Sequence, residues 1–65
     1  MNSREREQLR RLKNTIMGAG HRLSLLGGSP EVPAVQARTL SELAGELART
    51  AQRLERLLSG LDADG

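Results

Sequence analysis

The sequence contains no cysteine and no phenylalanine, tyrosine or tryptophan. Without cysteine no disulfide can staple a small fold, and a single histidine offers no zinc-ligand pair in its place. Without aromatics, any core is built from Leu, Ile, Val, Met and Ala, residues that suit helix seams. No run comes near the roughly 20 apolar residues that a membrane span needs. The polar start, Met1 to Arg6, lacks the apolar centre of a secretory leader. These absences lead to the expectation of a soluble, cytoplasmic protein with no cofactor, no metal and no membrane contact. At 65 residues the chain is one small domain, poorly able to build a core of its own. The remedy left to it is association, with a second copy or with another protein.

What the sequence does have is a leucine rhythm. Leu9, Leu12, Ile16, Ala19, Leu23 and Leu26 are spaced alternately three and four apart, a heptad seam over nearly three repeats. Asn2 or Ser3 can cap its start, and from Asn2 the residue three positions on is Glu5, as a capping box requires. Gly27-Gly28 stops the helix, since glycine readily takes the left-handed conformation that closes a helix end. The stretch GGSPEVP, Gly27 to Pro33, is the one clear break. A second helix either begins on Ser29 as cap with Pro30 in its first position, or starts just after Pro33. Its seam runs Leu40, Leu43, Leu47, Thr50, Leu54, Leu57, Leu61, flanked by Ala44, Ala48, Ala51 and Leu58. A stripe that broad suits a bundle facing two neighbours better than a two-stranded coiled coil.

A short connection makes the two helices antiparallel neighbours. Residues 1–28 carry six basic side chains against two acidic ones, whereas residues 29–65 carry four against six. The basic start of the first helix then lies beside the acidic end of the second, so Glu55, Asp62 and Asp64 are expected to face Arg4, Arg6 and Arg11. Arginines in a first turn also oppose the helix dipole, which calls for an anionic neighbour there. A lone hairpin buries only one side of each helix. Ordering some 50 residues at roughly 1.5 kcal/mol each requires about 3,000 Å² of apolar burial at roughly 25 cal/mol per Å². Two helices without an aromatic do not supply that, but two hairpins packed as a four-helix bundle can.

Little in the chain points to chemistry. On the seam numbering His21 falls opposite the apolar rows, with Arg22 beside it and no carboxylate three or four residues away to orient it. It reads as a surface histidine, with a phosphoacceptor as the sharper alternative. No nucleophile–base constellation accompanies it, so an enzyme is not expected. Gly18 and Gly20 each cost about 1 kcal/mol relative to Ala inside a helix. Gly20 flanks the seam, where close approach of a partner backbone would explain it, while Gly18 points outward without an evident reason. Thr50 interrupts the second seam, either to fix register or merely to bond the carbonyl one turn back. The cluster REREQLRRLK, Arg4 to Lys13, could serve as a nucleic-acid arm, but Glu5 and Glu7 dilute it and no aromatic is present to stack on bases. Arg10, Arg11 and Lys13 are the candidates for docking a partner.

With the seams in place, the chain resembles the dimerisation and phosphotransfer hairpin of sensor histidine kinases. The first helix of that family carries a His-Asp/Glu-Leu-Lys/Arg-Asn/Thr-Pro-Leu segment and a later Leu-x-Leu-Leu-like run. Here RRLKNTIMGAGHRLSLL offers Leu12, Lys13, Asn14 and Ile16, then Leu23, Leu25 and Leu26. The second helix of the family carries Ala-x-Arg-Leu-x-x-Leu-Ile-x-x-Leu, matched in AQRLERLLSGL by Ala51, Arg53, Leu54, Leu57, Leu58 and Leu61. The resemblance covers most of residues 9–61 and implies a dimeric bundle with a partner-docking face. It departs where the family does its chemistry: Arg10 stands at the phosphoacceptor histidine, Arg11 at the acidic neighbour and Thr15 at the proline. The 65 residues themselves hold no ATP-binding domain, so what the resemblance leads one to expect of them is scaffolding without catalysis. In length and architecture the chain is also similar to the helical-hairpin co-chaperones of type III secretion needle subunits, which fold with a partner.

The sequence therefore predicts an all-α hairpin with helices over about 4–26 and 34–61, a turn over 27–33 and a frayed tail over 62–65. Its seam is expected to comprise Leu9, Leu12, Ile16, Ala19, Leu23, Leu26, Leu40, Leu43, Leu47, Leu54, Leu57, Leu58 and Leu61, shared between the hairpin core and a dimer. The expected role is protein–protein interaction, as an adaptor, scaffold or regulator in bacterial-type signalling. A co-chaperone that folds with its partner is the first alternative and a small basic nucleic-acid-associated regulator the second.

Overall fold

A computed structural model describes residues 2–64, apart from the side chains of residues 62–64. It contains two helices, α1 (Ser3–Gly27) and α2 (Ala34–Asp64), packed against each other as an antiparallel hairpin. No strand occurs among the described residues. The molecule is a rod of 47 × 15 × 10 Å by its Cα atoms, with a radius of gyration of 14.9 Å. A compact domain of this length has a radius of about 11 Å. Among the described residues each helix packs against the other alone.

The ends of α1 follow from local chemistry. The Asn2 side chain accepts a hydrogen bond from the Glu5 amide at 3.0 Å and so satisfies one of the free donors of the first turn. At the other end Gly28 closes the helix, but not by the left-handed conformation expected of it. Its backbone lies at φ −90°, ψ −3°, and its amide turns back to the carbonyls of Ser24 and Leu25. No described glycine has positive φ. In the connection the Ser29 hydroxyl accepts from the Glu31 amide at 3.3 Å, and the Val32 amide donates to the Ser29 carbonyl at 3.2 Å. Ser29 therefore starts a turn and does not cap α2. The second helix begins after Pro33, whose carbonyl accepts from the Ala37 amide at 2.8 Å. α2 continues to Asp64, beyond the expected end at 61. The expected tail involves side chains, and in Gly65 a whole residue, outside those described.

The residues that pack the helices together differ from the expected seam by one row on each helix. On α1 the half-buried or buried positions are Arg6, Leu9, Lys13, Ile16, Ala19, Gly20, Leu23 and Gly27. On α2 they include Ala37, Leu40, Ala44, Leu47, Ala51, Leu54, Leu58 and Leu61. The rows Leu9-Ile16-Leu23 and Leu40-Leu47-Leu54-Leu61 are those expected. Within the hairpin, however, their companions are Lys13-Gly20-Gly27 and Ala37-Ala44-Ala51-Leu58. Small side chains explain the choice. A Cβ on Gly20 would lie 3.4 Å from Leu47 Cβ, and one on Gly27 would lie 3.0 Å from Ser41 Oγ and 3.1 Å from the Ala37 carbonyl oxygen. The helices approach closest along this glycine–alanine row, where backbones can touch. Among the described residues only Ala51 and Leu58 form a buried apolar core, at 4% and 5% exposure, and no side chain is fully enclosed.

Candidate functional site

Leu12, Leu26, Leu43 and Leu57, all expected in the seam, are 42–55% exposed in the hairpin. Their placement follows from helix geometry. At about 100° per residue, 12, 19 and 26 form a row beside 9, 16 and 23, on the side away from 13, 20 and 27. Likewise 43, 50 and 57 form a row beside 40, 47 and 54, on the side away from 44, 51 and 58. Antiparallel neighbours are related by a local two-fold axis perpendicular to the plane of the pair. Rows with the same offset from the contact line therefore open to the same side of the hairpin. Leu12, Ala19 and Leu26 thus share one face with Leu43, Thr50 and Leu57. The contacts fix their levels. Lys13 meets Glu55, Gly20 meets Ala44 and Leu47, and Gly27 meets Ala37 and Leu40. Leu12 and Leu57 lie toward the open end, Ala19 and Thr50 at mid-length, and Leu26 and Leu43 toward the hinge. The half-buried rows Leu9-Ile16-Leu23 and Leu40-Leu47-Leu54-Leu61 line the floor between them.

The opposite face has no leucine row: its flanking rows are Arg10, Met17 and Ser24 on α1 and Ser41, Ala48 and Glu55 on α2. There Lys13 Nζ donates to Glu55 Oε2 at 2.7 Å. Glu55 thus pairs with Lys13, and not with Arg4, Arg6 or Arg11, because residue 13 is the one the antiparallel register brings level with it. The hydrogen bond from Lys13 and the charge of its ammonium hold the Glu55 carboxyl below its ordinary value of 4.5, with a smaller pull from Arg10. Desolvation opposes the shift and is outweighed. The Lys13 side chain is 16% exposed, its stem laid along the helix contact. Arg10 and Arg11 both turn to Glu7 on their own helix, at 3.5 Å each. Of the three residues expected to dock a partner, one is therefore committed across the hairpin and two along α1. The Asp62 and Asp64 side chains expected to face the arginines lie outside those described.

The remaining candidates for chemistry are dispersed. His21 is exposed, as expected. A methyl added at Gly18 would meet nothing within 4 Å, and the missing side chain leaves a shallow open notch lined by Asn14, Thr15, Ala19 and Arg22. Thr50 donates its hydroxyl to the Glu46 carbonyl at 3.0 Å, as Thr15 does to Arg11 and Thr39 to Val35. All three threonines bond one turn back, which accounts for Thr50 without a register role inside the hairpin. Among the described residues no three His, Cys, Asp or Glu side chains gather as metal ligands. No helix among them is long and apolar enough to cross a membrane.

The feature that stands out is surface. The hairpin exposes 5096 Å². A compact monomer of 7.1 kDa exposes about 4,100 Å². The surplus of about 1,000 Å² is close to the roughly 800 Å² that each partner gives to a standard protein–protein interface. Single exposed apolar side chains such as Met17, Leu25 and Val35 are ordinary. Four leucines on one face, bracketing a half-buried apolar floor, form a patch of the kind that marks an interaction site. Compared with known proteins, the chain matches no family model, no curated protein and no solved structure.

Proposed function

We propose that this chain is a non-enzymatic protein–protein interaction module, a helical hairpin that is half of a four-helix bundle. The observation that carries this reading is the exposure of Leu12, Leu26, Leu43 and Leu57, 42–55% each, together on one face of the hairpin. Burying that face would give each helix a second neighbour, as bundle helices have. It would also convert the exposed leucines into the core that Ala51 and Leu58 alone do not provide. The dispersal of His21, the serines and the carboxylates supports a binding role over catalysis. The resemblance of residues 9–61 to phosphotransfer hairpins supports a place as adaptor, scaffold or regulator in bacterial-type signalling. Light scattering on purified protein at micromolar concentration tests the reading. The expected mass is twice the 7.1 kDa of the chain, and a cooperatively folded species at the monomer mass would refute it.

A further inference from the structure

We infer that the Leu12–Leu57 face seats a second copy of this chain, with Glu46 of each copy set against an arginine of the other. This inference rests on the bundle reading above and adds the symmetry of the seating and the charged residue that orients it.

The face favours a second copy because it looks alike from either end. Read toward the hinge, α1 presents Leu12, Ala19, Leu26 and α2 presents Leu57, Thr50, Leu43. Both rows are leucine, small residue, leucine. A surface with that pattern is self-complementary about a two-fold axis, the commonest symmetry of soluble oligomers. Two copies set face to face meet leucine on leucine at both ends and small on small at the waist. The hairpin as a whole exposes about 1,000 Å² more than a compact chain of its mass, the order of area that each partner gives to a standard interface.

Charge at the rim agrees. The row outside the leucines on α1 is Gln8, Thr15, Arg22, and on α2 it is Thr39, Glu46, Arg53. Glu46 is the acidic residue among these six, and all six are exposed or half-exposed. Among the described residues none of Arg22, Glu46 and Arg53 forms an ion pair within the hairpin. Two two-fold arrangements bring the faces together. With both hinges at one end, α1 lies over the partner's α2 at equal level. The Gly20 contact with Ala44 and Leu47 then puts Arg22 opposite Glu46 of the other copy. With the hinges at opposite ends, α2 lies over the second α2 centred on Thr50, and Glu46 falls opposite Arg53. In either arrangement the acid of one copy meets an arginine of the other.

Sedimentation equilibrium of the full chain, with circular dichroism to confirm helicity, tests the inference. Glu46→Arg should weaken self-association about tenfold, because the two-fold repeats the pair and the reversal turns both attractions into repulsions. Adding Arg22→Glu restores it if the hinges share an end, and adding Arg53→Glu restores it if they do not. Glu42→Arg makes the same charge change on the outer side of α2 and should leave the dimer intact. A dimer that Glu46→Arg leaves unchanged, that Glu42→Arg weakens equally, or that neither second change restores would overturn this seating while sparing the bundle reading. A folded monomeric wild type would refute both. If Glu46→Arg fails to fold, the cysteine-free background allows a second readout with a short bismaleimide. Thr50→Cys links to itself if the hinges are opposed. If they share an end, linking requires a mixture of Thr50→Cys and Ala19→Cys chains. Absence of a link in both cases, or an equal link from Gly18→Cys, contradicts the seating.

Discussion

Three glycines in α1 should respond to the same change, glycine to alanine, with different signs. In a helix interior the substitution is worth about 0.8–1 kcal/mol in favour of alanine, and none of the three has the positive φ that would penalise a side chain. What separates them is clearance. A methyl at Gly18 meets nothing within 4 Å, so Gly18→Ala should keep the whole gain. For a domain of this size that raises the thermal midpoint by about 4–8 °C. A methyl at Gly20 would sit 3.4 Å from Leu47 Cβ and 3.5 Å from the Ala44 carbonyl. Those are ordinary contacts, so Gly20→Ala should keep at least half of the gain. At Gly27 the new methyl would be 3.0 Å from Ser41 Oγ and 3.1 Å from the Ala37 carbonyl oxygen. The hydroxyl can rotate away, but the carbonyl moves only if α2 moves. Overpacking of that kind costs about 1–3 kcal/mol, which exceeds a propensity gain already reduced at the last helical residue. Gly27→Ala should therefore destabilise by about 1 kcal/mol net. Thermal unfolding followed at 222 nm, at one fixed protein concentration because association shifts the midpoint, reads all three. Destabilisation by Gly18→Ala, or stabilisation by Gly27→Ala equal to that by Gly18→Ala, would refute the close-packing account of the hairpin.

Leu58 is 5% exposed and should cost about 2–3 kcal/mol when truncated to alanine, read by denaturant unfolding; a loss below about 0.5 kcal/mol, the range of surface changes, would mean it is not core. Asn2→Ala removes the first-turn cap and should cost about 1 kcal/mol and fray the start of α1 in amide exchange; unchanged protection there contradicts the cap. Because Glu55 is held below its ordinary 4.5 in the folded state, its contribution is full above that value and lost as pH falls through the lowered one. The midpoint of Glu55→Gln should therefore lie below that of wild type at neutral pH and converge with it in acid, and a gap that stays constant far below 4.5 would contradict the Lys13 pairing.

The sequence carries the hairpin because its signals are local. Asn2 with Glu5, the Gly27–Pro33 break and the alternation of three and four each follow from backbone chemistry within one or two turns. The choice between neighbouring rows is not local. Counting leucines weighs bulk, and bulk selects Leu12, Leu26, Leu43 and Leu57, whereas the closest approach of two helices selects smallness, at Gly20, Gly27, Ala37, Ala44 and Ala51. Gly27 reads as a stop in the sequence, but its tight clearance against Ala37 and Ser41 shows a packing role. Lys13 escapes any apolar count because only its stem serves the contact, with its ammonium on Glu55. The signal for it is its position seven residues before Gly20 and fourteen before Gly27. The rows that the leucine count picks out remain informative. Half of them lie in the hairpin contact, and the other half lie together on the face assigned to a second copy.

The most direct test of that assignment is helicity against concentration. Far-ultraviolet circular dichroism of the wild-type chain, followed over a thousandfold dilution from high micromolar concentration, should show a strong helical signal that collapses cooperatively as the bundle dissociates. A full helical signal that persists to the lowest concentration, at the monomer mass, would contradict the claim that this hairpin needs a second one.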